Sequence, residues 1–204
     1  MEDVFLKMKE CKPFLVRSFL PNLYSWPKLE DHLNFRPAQY SERFKTVERN
    51  RPDIKWKMGG WLTNNTTWPP NLIKKELQEE VIYLTDCSRI TKEINNICSQ
   101  MEDATGWPVD LHIFISLNPA SKEGFSKHND AQNNLIVSQE GSLSIKVWDS
   151  SDSLILNDTL SNGDSVFIPK KFNHQIIPLE KRYSFSFSFA DYDSFFQERD
   201  WIEL

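Results

Sequence analysis

The hydrophobic rhythm of this chain changes at Pro108. Before it, apolar positions recur at helical or irregular spacing; after it, they fall into short runs that alternate with polar residues. Val4 to Glu10 predicts a short amphipathic helix and Phe14 to Arg17 a strand, with Pro21 stopping the segment that follows. Residues 22–70 mix aromatic, proline and charged positions, with Trp26, Trp56, Trp61 and Trp68 among them. They read as loops, a short helix near 27–33 and edge strands near 44–48 and 54–62, with Gly59-Gly60 marking a turn or a close backbone approach. Two helices are predicted next. Asn71 to Leu84 places Leu72, Leu77, Val81 and Leu84 near helical spacing, and Ile90, Ile94, Ile97, Cys98 and Met101 form a one-sided stripe with Asp86 or Ser88 as its cap. Both stripes read as surfaces packed on a sheet.

Beyond Pro108 the predicted strands are Leu111 to Leu117, Leu135 to Val137, Leu143 to Trp148, Ser153 to Leu156, Ser165 to Ile168, His174 to Ile177 and Tyr183 to Phe189. The last alternates strictly: Ser184, Ser186 and Ser188 face one way, Phe185, Phe187 and Phe189 the other. Such a strand packs its aromatic face and offers a small, polar face to a cavity. Many short strands separated by turn residues predict an antiparallel sandwich or barrel. With no linker or internal repeat, residues 1–204 read as a single domain: helices, loops and flanking strands over 1–110, a β core over 111–190.

Composition narrows the class. At 204 residues the chain suffices for one well-developed core, and 26% charged with 39% hydrophobic residues suits a globular protein rather than a disordered one. A net charge of −5 argues against a surface built for a nucleic-acid backbone. Cys11, Cys87 and Cys98 are odd in number and widely spaced, and read as buried thiols of a reducing compartment. The N-terminus lacks the apolar stretch of a signal peptide and no apolar run approaches a membrane span, so an intracellular, cytoplasmic location away from membranes is expected.

The candidate chemistry lies in His128-Asn129-Asp130. In an extended segment the side chains at i and i+2 share a face, so His128 and Asp130 can act together, and His174 after the Ser165 to Ile168 strand can complete a face of two histidines and one carboxylate. That donor set suits an octahedral Fe(II) with open positions. Unconnected polar residues are the alternative, since His-x-Asp recurs by chance.

The surroundings bear on that choice. Lys12-Pro13-Phe14-Leu15-Val16-Arg17 resembles the opening strand of JmjC-type cupin oxygenases. His112 to Asn118, followed by Gly124-Phe125-Ser126-Lys127-His128-Asn129-Asp130, is similar to the family's strand leading into its first metal ligands. Gln139-Glu140-Gly141 with Trp148, and Gly163-Asp164 through Pro169 to His174, resemble the stretches that follow. The resemblance covers 11–21 loosely and 111–190 well. It implies a double-stranded β-helix (cupin or jelly roll) and an Fe(II)- and 2-oxoglutarate-dependent dioxygenase that uses dioxygen to hydroxylate a C–H bond of a peptide, protein side chain or amino-acid-like small molecule. Iron would be held by His128, Asp130 and His174.

The chain departs from the family pattern at the cosubstrate anchor. Relatives often carry a lysine two residues after the glycine matching Gly141, where this chain has Leu143. Lys146 lies on the same stretch but in the opposite register, and Arg182 shares a strand face with Ser184 in an Arg-x-Ser arrangement that resembles the anchor of other 2-oxoglutarate oxygenases. Either could take the distal carboxylate, or both could be solvated. Asn134 and Ser126 match positions that contact cosubstrate in relatives, or else cap backbone groups. His112 could line the cavity, and Trp148 reads as core. A non-catalytic cupin that binds a ligand or a partner protein is the competing reading, favoured by Leu143 and opposed by the complete three-ligand set.

Overall fold

A strand with serines on one face and phenylalanines on the other needs two different neighbours, and the architecture supplies both. The computed structural model describes residues 2–20, 23, 25–29, 44–46, 81–118 and 126–190. The strand expected at 54–62, the Gly59-Gly60 turn, Trp56, Trp61, Trp68 and residues 71–80 of the expected helix lie outside them. In chain order the elements are α1 (Glu2–Met8), β1 (Phe14–Val16), β2 (Phe44–Thr46), β3 (Ile82–Leu84), α2 (Lys92–Thr105), β4 (Val109–Ser116), β5 (Asn133–Glu140), β6 (Leu143–Trp148), β7 (Leu154–Leu160), β8 (Ser165–Ile168), β9 (Asn173–Pro178) and β10 (Arg182–Phe189). They build a seven-stranded sheet in the order β1-β8-β5-β10-β4-β3-β2 and a three-stranded sheet in the order β7-β6-β9. The result is the cupin-type jelly roll.

Two apolar clusters follow from the alternation. Phe185, Phe187 and Phe189 of β10, Leu111, Ile113 and Ile115 of β4 and Leu135 and Val137 of β5 form the outer face of the large sheet, covered by Phe5 and Met8 of α1 and Ile94, Cys98 and Met101 of α2. The second cluster joins the sheets, with Ile136, Val166 and Ile168 from the large one meeting Leu143, Ile145, Val147 and Leu160 from the small one. At roughly 1.5–3 kcal/mol per fully buried large apolar side chain, each cluster outweighs any single polar contact in the domain.

The sequence locates most of these elements to within a few residues, and misplaces three features. Ile82-Tyr83-Leu84 is a strand, pairing with β4 through Ile82↔Ile115 and Leu84↔Ile113, rather than the end of a helix; a β-branched and aromatic run prefers the pleated surface. The cap of α2 is Thr91, whose Oγ1 accepts from the Ile94 amide at 3.2 Å, rather than Asp86 or Ser88. Gly106, at φ 74, ends the same helix with its amide donating to the Glu102 carbonyl. Cys11 is exposed, unlike Cys87 and Cys98.

Gly163-Asp164 ties the N-terminal segment to the sheet. Arg17 donates to Asp164 (2.9 Å), Asp158 (2.8 Å) and the Thr159 carbonyl (2.8 Å). The amides of Ser18 and Ser161 both donate to the Asp164 carboxylate at 3.0 Å. Burial pushes the Asp164 carboxyl up, but the two amides and Arg17 outweigh it and hold it below the ordinary carboxylate range. Asp164→Ala is expected to cost about 2–3 kcal/mol in urea unfolding at pH 7, because it strands two amides and takes away one of the acceptors of Arg17. Because the folded carboxyl titrates lower than the unfolded one, near pH 3.9, its contribution is complete above that value and fades as pH falls through the folded value. The gap between wild type and variant should therefore close in acid; a gap independent of pH would refute this role.

Thiol reactivity provides a separate check. Burial pushes the Cys98 thiol up to about 12, and Cys87 is buried with its Sγ–H donating to the Thr85 carbonyl. The thiolate is the reactive form. A maleimide reagent should label Cys11 alone in the native protein and all three cysteines after unfolding; rapid native labelling at a second site would contradict the packing.

Candidate metal centre and its cavity

The segment before β5 runs alongside β9 through one reciprocal pair of backbone hydrogen bonds. The His128 amide donates to the His174 carbonyl (3.0 Å) and the His174 amide to the His128 carbonyl (2.7 Å). This pairing brings two histidines that are distant in sequence side by side, with ring centroids 4.4 Å apart. Asp130, two residues on from His128, joins them: its Oδ1 lies 3.8 Å from Nε2 of His128 and its Oδ2 3.5 Å from Nε2 of His174. One donor atom from each of the three residues falls within 4.8 Å of the others.

Backbone carbonyls set the histidine tautomers. Nδ1 of His128 faces the Ser126 carbonyl at 2.8 Å and Nδ1 of His174 faces the Phe172 carbonyl at 3.2 Å. A carbonyl only accepts, so each Nδ1 carries the hydrogen and each Nε2 carries the lone pair, as a metal ligand requires. Burial pushes the His174 imidazole below its usual value; Asp130 opposes this, His128 adds to it, and the Phe172 carbonyl opposes it. The neutral form is the one that ligates. Two imidazoles and one carboxylate, with an open side toward a cavity, fit a first-row divalent metal such as Fe(II).

That cavity holds about 400 Å³ and lies against the concave face of the large sheet, within the range that encloses a small organic ligand. Arg182, Ser184, Ser186 and Ser188 of β10 form its floor, beside His112 and Phe114 of β4. Arg182 is buried, its guanidinium donating to Ser184 Oγ at 2.6 Å while Nε has no partner among the described residues. Burial alone pushes its pKa down to about 10, so it remains a cation at neutral pH. Gly141, at φ 76, makes room for it. A Cβ there would come within 2.8 Å of the Arg182 Cβ and run into the Lys181 carbonyl, so only glycine fits the turn.

Of the residues singled out in the sequence, His128, Asp130, His174, Asn134, Arg182, Ser184 and His112 line this one cavity. Lys146 and Ser126 do not line it. β6 turns Leu143, Ile145 and Val147 inward and leaves Lys146 half-buried on the other face. Ser126 is exposed, and it serves His128 through its backbone carbonyl. Trp148 is half-buried beneath the Lys127 ammonium, 4.4 Å from the ring centroid, rather than in either core. Ser186 and Ser188, on the polar face that the alternation assigns, line it too, and so do Tyr83 and Phe114, which stack at 5.1 Å and 12°. Ser188 follows from the same alternation as Ser184; Tyr83 is hidden because its segment reads as helix.

No family model matches the sequence, and no curated protein sequence matches it. Solved structures do match the fold. An X-ray structure of YcfD from Escherichia coli superposes with a TM-score of 0.61 at 16% identity over 93% of this chain and 52% of that one. YcfD described as a ribosomal oxygenase in complex with cobalt and 2-oxoglutarate gives 0.59 at 16% identity, over 88% and 48%. Its complex with cobalt and succinic acid gives 0.59, over 91% and 50%. The chain thus spans about half the length of these structures and shares their fold.

Proposed function

We propose that this chain is an Fe(II)- and 2-oxoglutarate-dependent oxygenase that hydroxylates a C–H bond of a peptide, a protein side chain or an amino-acid-like small molecule. The observation that carries the reading is Arg182: a buried cation in the cavity that holds the His-Asp-His cluster, with only a serine hydroxyl as partner among the described residues. A buried charge without a counter-charge costs several kcal/mol, so this site is built for an anion. Charge balance agrees. Asp130 and Arg182 cancel one another, as do a divalent metal and the dianion 2-oxoglutarate, and a buried site tolerates a neutral total.

When bound, the metal and cosubstrate supply oxidative decarboxylation of 2-oxoglutarate to succinate, coupled to insertion of one oxygen atom from dioxygen into the substrate. His128, Asp130 and His174 hold the metal on one side only. Arg182, backed by Ser184, takes the distal carboxylate in a charge-assisted pair. The small Ser184, Ser186 and Ser188 side chains leave room along the floor, and the Tyr83–Phe114 stack walls the cavity on the β3 side. The cobalt complexes of YcfD with 2-oxoglutarate and succinate lend support to the cofactor assignment, and its name as a ribosomal oxygenase to a protein substrate. The fully buried Leu143, which favours a non-catalytic module, is offset by a cation from the opposite sheet.

Anaerobic protein with Fe(II) and 2-oxoglutarate should develop a weak visible charge-transfer band, and its absence at saturating cosubstrate would sink the assignment. Losing a hydrogen bond to a charged group, about 1.5–3 kcal/mol, predicts that Arg182→Ala weakens 2-oxoglutarate binding about 10- to 100-fold. Lys146→Ala should leave it unchanged. The reverse pattern would place the anchor on β6.

A further inference from the structure

Of the three proposed ligands, two are oriented by their own backbone. His128 and His174 are locked by their mutual amide–carbonyl pair and by the carbonyls at their Nδ1 atoms. Asp130 is different. It lies between His128 and β5 in a segment outside any strand, its backbone held by the Lys171 amide donating to its carbonyl at 3.1 Å, and its side chain is 38% exposed. A carboxylate in that position is free to rotate unless something grips it.

The structure assigns that grip to Asn134 and Ser188. Asn134 Nδ2 donates to Asp130 Oδ2 at 2.6 Å, and Ser188 Oγ donates to Asn134 Oδ1 at 2.6 Å. Asn134 and Ser188 are direct register partners on β5 and β10, and both are buried. The direction of the relay is fixed by chemistry. An ionised carboxylate only accepts, so the amide must turn its NH₂ toward Asp130 and its oxygen toward a donor, which the Ser188 hydroxyl provides. With Oδ2 gripped, the carboxylate no longer rotates freely, and its oxygens stay beside the Nε2 atoms of His128 and His174. Asn134, expected from sequence to touch cosubstrate, is therefore a positioning residue for the metal's carboxylate ligand, and Ser188 is the residue that orients Asn134. The assignment rests on the metal-centre reading above.

Partners that orient metal ligands typically change affinity 10- to 100-fold when removed. The test is anaerobic Co(II) titration without 2-oxoglutarate, followed by visible ligand-field absorption, with thermal melting of the metal-free proteins in parallel. Asn134→Ala should weaken Co(II) binding about 10- to 100-fold and alter the absorption bands. Ser188→Ala should shift both in the same direction by less, and Ser188→Thr, which keeps the hydroxyl, should restore them. Wild-type Co(II) affinity in Asn134→Ala and Ser188→Ala, with only melting or 2-oxoglutarate affinity changed, overturns the relay and leaves the metal centre standing. Failure of the wild type to bind Co(II) removes both. Should Asn134→Ala fail to fold, the two Ser188 variants decide the matter.

Discussion

The face assignment of β10 is the constraint on which the rest depends. This strand is hydrogen-bonded on both edges, to β4 and to β5, at the centre of the large sheet. One face contributes Tyr183, Phe185, Phe187 and Phe189 to the core against the helices, and the other contributes Arg182 and three serines to the cavity. A shift of one residue would exchange the two sets, driving a cation into an aromatic core and phenylalanines into a ligand site. Both faces therefore enforce the same register. The only irregularity in its pairing, between Tyr183 and Ser184 against β5, sits beside the turn at Gly141, which leaves no room for a Cβ against Lys181 and Arg182. A bulge at that point adjusts the strand next to its single charge without disturbing the alternation on either side.

Polar and apolar work are divided between the sheets. The large sheet supplies the cation, the serine floor and the Asn134–Ser188 pair; the small sheet supplies His174 and four apolar residues of the cluster that holds the two together. That cluster contains Leu143, at the position where the family resemblance leads one to expect a lysine. An inward lysine there would have to bury its charge among Ile145, Val147 and Leu160. With leucine in its place, apolar packing between the sheets is continuous, and the site's positive charge comes from β10 instead.

Period-two alternation made most strands legible in advance, because burial on one face of a sheet leaves a direct imprint on composition. It also gave Lys146 the opposite register to Leu143, which is what turns it away from the interior. What stayed hidden depended on contacts between distant segments. Val81 to Leu84 fits a helical stripe as well as a short strand, and only pairing with β4 decides between them. The role of Ser126 lies in its carbonyl, which side-chain chemistry does not announce. The bonds that Asn134 makes, to Ser188 on the adjacent strand and to Asp130 in the loop before it, join segments whose proximity the sequence does not show. The position of Thr91 before an apolar stripe was available as a cap signal, but equally good candidates upstream competed with it.

The backbone pairing of His128 with His174 has a mechanical meaning as well as a chemical one. Asp130 is fastened through Asn134 and Ser188 to the middle of the large sheet, while His174 belongs to the small one. The cluster of three therefore acts as a clasp across the mouth of the roll, joining two layers that also meet through the apolar cluster and through Arg17, which ties the segment after β1 to Asp158 and Thr159 of β7. Parting the layers at that mouth would dismantle the cluster, because His174 would leave with one sheet and Asp130 stay with the other.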